Sequence, residues 1–62
     1  MPEARKTRSV LEQQALDYRN RAELLRTAAV GSRRPSAQRV LQDLADEADA
    51  MAAQLEERLR LP

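Results

Sequence analysis

Twelve apolar positions fall into two ladders that step by four and then three. The first is Leu11, Ala15, Tyr18, Ala22, Leu25, Ala29; the second is Ala37, Leu41, Leu44, Ala48, Met51, Leu55. At 3.6 residues per turn this rhythm gathers each set onto one stripe of an α-helix, the seam along which helices interlock. Between the ladders lies Val30-Gly31-Ser32-Arg33-Arg34-Pro35, which holds the chain's single Gly and one of its three Pro. The pattern predicts an all-α fold: an antiparallel two-helix hairpin with these ladders as its intrachain seam.

Local signals set the expected boundaries. Residues 1–8 (MPEARKTR) are polar, charged and aperiodic, which reads as a flexible basic arm. Ser9 with Glu12 three positions on has the form of a capping box, so helix 1 is expected over about 9–30. Gly31 stands where a left-handed C′ residue closes a helix. The turn is then 31–35, with Pro35 suited to the first turn of helix 2, where a missing N–H costs nothing. Helix 2 is expected over about 36–60, making residues 9–60 one hairpin domain.

A chain of 62 residues buries only about 60% of its unfolded surface, and domains of this size need a staple. Without Cys there is no disulfide, and without Cys or His the common zinc sites are excluded. Association is the remaining remedy. Beside the second ladder run Ala45, Ala52 and Leu59, with Val40 on its other flank, a stripe wider than one helix covers. In helix 1, Leu24 broadens the apolar face toward the turn. These five residues form the expected oligomer interface, through which two hairpins pair into a four-helix bundle or dock a helical protein partner.

The net charge of +1 conceals an asymmetry. Residues 1–34 carry eight Arg/Lys and four acids; residues 35–62 carry three and six. An antiparallel hairpin neutralises itself across the pair, and the acidic cluster Asp43, Asp46, Glu47, Asp49 calls for cations from helix 1 or a partner chain. The alternative is a nucleic-acid-binding regulator using Arg5, Lys6, Arg8, Arg33 and Arg34. In a hairpin those two groups lie at opposite ends of a rod, whereas useful affinity needs many phosphate contacts on one surface.

Nothing in the residue set supports catalysis. There is no His or Cys, no Gly-rich phosphate loop and no Ser beside a base, and a hairpin has no deep pocket. The expectation is a non-enzymatic protein with no cofactor, no metal and no small-molecule substrate. No apolar run reaches the roughly 20 residues of a membrane span, and no signal-peptide core is visible, so the expected location is cytoplasmic. Tyr18, the one aromatic, sits on the seam, where packing with its hydroxyl at the rim is the simplest role.

The run Tyr18-Arg19-Asn20-Arg21-Ala22-Glu23-Leu24-Leu25-Arg26, a Pro-containing turn, and the run from Val40 to Ala52 resemble a group of small alphaproteobacterial proteins. Their pattern is YRxRAExxR, a turn, then LLxLAxEYxxMA, and the resemblance covers about residues 15–57. It implies a helical hairpin and carries no activity. Ala48 stands where that group often has an aromatic or other large residue, which implies a thinner core at that level. In form the chain is also similar to the Rop family of plasmid copy-number proteins, hairpins that dimerise and bind paired RNA loops. Leu41 to Glu47 is similar to part of the second Rop helix. Rop contacts RNA through an exposed aromatic surface on its first helix; here Tyr18 falls on the seam, so those contacts do not carry over.

Overall fold

The computed structural model describes the backbone of residues 2–61 and the side chains of residues 7–61. Two helices, α1 (Pro2–Gly31) and α2 (Pro35–Arg60), pack against each other along their length. The pair forms a rod of 51 × 15 × 10 Å, only one helix thick.

α1 begins at Pro2, ahead of Ser9. Ser9 is therefore a residue inside the helix and not its cap, and residues 2–8 of the expected arm continue the same helix, with Met1 outside the described residues. In place of a capping box, Arg8 and Glu12 form an i,i+4 ion pair, Nε to Oε1 at 3.4 Å. The other end differs too. Gly31 is still helical, and no residue among those described has a positive φ, so the left-handed cap does not form. The chain instead turns through residues 32–34. Ser32 N–H donates to the Ala29 carbonyl at 3.2 Å, and the Gln38 side-chain amide donates to the Ser32 carbonyl at 2.6 Å. The first bond satisfies one of the carbonyls left open at the end of α1, and the second ties the turn to the first turn of α2.

α2 starts at Pro35, after an extended Arg34 (φ −96°, ψ 122°) that supplies no side-chain cap. Pro fixes φ near the helical value and lacks the N–H that a first-turn residue leaves unpaired. At the far end Leu61 is extended, with its N–H on the Arg58 carbonyl at 3.3 Å, and Arg58 and Arg60 sit in the last turn, where the helix dipole favours cations.

The core is made of methyl groups. The buried residues among those described are Ala15, Ala22, Ala29, Ala45, Ala48 and Ala52, with Tyr18 and Leu25 packed against the Ala22–Ala45–Ala48 cluster. Pairing Ala22 with Ala45 in an antiparallel register brings Ala15 level with Ala52, each seven residues further along. One more such step brings Arg8 level with Leu59, and Arg8 Nη1 donates to the Leu59 carbonyl at 3.1 Å. Small side chains at matched levels let two helix axes approach closely. The cost is area: a buried methyl contributes about 0.8 kcal/mol, against roughly 1.5–3 kcal/mol for a buried Leu.

Candidate interaction surface

The first ladder lies where the helix pair meets. Ala15, Ala22 and Ala29 are buried, and Leu11, Tyr18 and Leu25 are half-buried. The second ladder does not map so simply. α2 meets α1 through Leu41, Ala45, Ala48, Ala52, Leu55 and Leu59, whereas Leu44 and Met51 remain 44% and 39% exposed. Leu44 and Met51 are thus not seam residues, and Ala45, Ala52 and Leu59 are not free for an oligomer interface. Neighbouring residues are separated by about 100° around a helix. α2 has accordingly turned to present Ala45 and Ala52 to α1, carrying Leu44 and Met51 onto one open side of the rod.

Two physical reasons favour that rotation. The alanines of α1 repeat every seven residues, and the matching row on α2 at the same spacing is Ala45 and Ala52. The rotation also swings Asp49 and Glu56 onto Arg19 and Arg26, seven residues apart like their acids. Arg19 Nη1 donates to Asp49 Oδ1 at 3.0 Å and Nη2 to Glu56 Oε1. Arg26 Nη2 bridges Asp46 Oδ1 at 3.2 Å and Asp49 Oδ2. The Arg26 guanidinium, then that of Arg19, holds the Asp49 carboxyl below the usual carboxylate range against the opposing desolvation. In return Glu56 and then Asp49 raise Arg19, and Asp49 raises Arg26. Two members of the acidic cluster, Asp46 and Asp49, find their cations within the same chain.

The hairpin therefore has two unlike sides. One carries this ion-pair ladder. The other is an open, shallow groove that runs from Gln14, Asp17, Tyr18 and Arg21 of α1 across to Met51 and Leu55, and on to Leu25, Leu44, Glu47 and Ala48. Its floor is apolar and its banks are charged: Asp17 and Arg21 on α1, Glu47 on α2. The Arg21 guanidinium lies over the Tyr18 ring, 5.7 Å from the centroid, in reach of a cation–π attraction. Leu24 and Val40, at 72% and 57% exposure, stand on the outer banks toward the turn.

The candidate nucleic-acid contacts are dispersed. The side chains of Arg5 and Lys6 lie outside the described residues. Arg8 is engaged by Glu12 and the Leu59 carbonyl, while Arg33 and Arg34 are exposed in the turn at the other end of the rod. Among the described residues no group of three or more carboxylates is placed to hold a metal ion, and no helix is long and apolar enough to cross a membrane. Sequence reasoning missed the Arg19–Asp49–Arg26 ladder and the banks formed by Arg21 and Glu47. The ladder did leave a signal, the shared seven-residue spacing of Arg19 and Arg26 with Asp49 and Glu56. No known protein family, curated protein or solved structure matches the chain.

Proposed function

We propose that this chain is a non-enzymatic, self-associating helical interaction module, whose open groove side packs on the same side of a second copy to give a four-helix bundle. The observation that carries the reading is the rotation of α2: its widest apolar stripe is centred between α1 and the open side, so one helix partner covers only half of it. An all-alanine core supports the same conclusion, because half-buried Tyr18, Leu25 and Leu55 and exposed Leu44 and Met51 can complete their burial only against another layer. Arg21 on one bank and Glu47 on the other suit a surface that meets itself, since a two-fold contact brings each feature to a copy of another.

Sedimentation equilibrium at micromolar concentration tests this. The expected mass is twice the 7.0 kDa chain. Leu44→Asp, which places a charge on the groove floor but outside the α1–α2 seam, should return the mass to that of one chain. A wild-type protein that is fully helical and solitary would overturn the proposal.

A further inference from the structure

Resting on that reading, we infer how the second copy sits: α1 of each chain lies over α2 of the other with both turns at the same end, and Arg21 pairs with Glu47 of the facing copy. Two face-to-face arrangements preserve two-fold symmetry. Rotation about an axis along the rod keeps levels matched and stacks α1 on the partner copy's α2. Rotation about an axis across the rod opposes the turns and stacks like helices on each other.

Within one hairpin the register is fixed by Ala22 with Ala45 and Arg8 with Leu59, so Tyr18 is level with Ala48 and its neighbour, and Arg21 with Glu47 and its neighbour. Arg21 and Glu47 line the same stretch of groove from opposite banks. Stacking α1 on α2 level for level therefore sets the Arg21 bank against a Glu47 bank twice per dimer. It also sets the large Tyr18 ring over the small Ala48, and brings exposed Leu24 within about one turn of exposed Val40. The opposed arrangement sets Glu47 close to its own copy, Tyr18 against Tyr18 and Ala48 against Ala48, and leaves Leu24 beside the polar stretch Glu12-Gln13. Its one advantage is to part the arginines at the turn end, Arg33 and Arg34 of the turn and Arg39 of α2. These are exposed, and salt screens such charges beyond about 8–10 Å. Like charges and mismatched sizes at the interface centre outweigh that, because central contacts dominate an association.

A charge-reversal cycle decides it. Arg21 and Glu47 are exposed, so neither reversal threatens the hairpin. Arg21→Glu and Glu47→Arg should each weaken dimerisation by about tenfold or more, each reversal creating two like-charge contacts. The double variant should return to within about threefold of wild type, because both pairs are restored with their signs exchanged. Singles that dimerise like wild type, or a double variant no better than its parents, would overturn this arrangement while leaving self-association standing. A monomeric wild type would overturn both.

Discussion

Gly31 shows how a single residue can mislead and then inform. A glycine followed by polar residues and a proline has the composition of a left-handed helix cap, yet the residue is helical with no positive φ. A Cβ built there meets no atom within 4 Å. The sign of Gly31→Ala therefore separates the two conformations. In a helix, Ala restricts the unfolded chain and should stabilise by about 0.5–1 kcal/mol, a rise of a few degrees in Tm for a domain this small. At a left-handed position the same change destabilises by a similar or larger amount. Thermal unfolding followed by circular dichroism at one fixed protein concentration gives the answer, and a fall in Tm would show that the chain leaves the helix at Gly31. Ser9 misled in the same way: its capping chemistry is genuine, but a helix that starts upstream has no use for it.

At the scale of the helices, α1 was legible and α2 was not. The apolar residues of α1 centre on one line, Leu11 to Ala29, so only one face can be the seam. Those of α2 spread over a wider arc, and the sequence permits either Leu44 with Met51 or Ala45 with Ala52 beside the shared Leu41, Ala48 and Leu55. Hydrophobic size favours the first set. The neighbour decides for the second, through the α1 alanine row and the pull of Arg19 and Arg26 on Asp49 and Glu56, and no pattern within α2 alone encodes that. The ion pairs make this choice testable by pH. Asp49 is held below its ordinary range when folded, so its contribution is present above about pH 4 and is lost as pH falls through the depressed folded value. Asp49→Asn should accordingly be less stable than wild type at pH 7, with the gap narrowing on acidification toward pH 2. Added salt should narrow the gap as well, since both arginines are nearly half exposed. Denaturant titrations at pH 7, 4 and 2 measure it; a gap that stays constant with pH would mean the carboxylate does not hold α2 in its rotation.

For the molecule as a whole, shape and core composition point the same way. A compact 62-residue domain has a radius of gyration of about 10.5 Å, and this rod has 14.6 Å. It is one layer where stable domains have two, and Tyr18, Leu25, Leu44, Met51 and Leu55, large enough to close a second layer, line the groove. Folding and association should then be thermodynamically coupled. An obligate dimer becomes more stable with concentration by mass action, about 1.4 kcal/mol of dimer for each tenfold. With roughly 0.7 kcal/mol of unfolding enthalpy per residue over two chains, that corresponds to a Tm rise of about 5 °C per decade of protein concentration. Thermal melts from about 1 to 100 μM should show this slope in the wild type, while Leu44→Asp should melt earlier and without it. Should the wild-type Tm hold steady across that range with a sharp transition, the alanine seam would be sufficient by itself, and the groove would have to owe its apolar floor to something other than a copy of this chain.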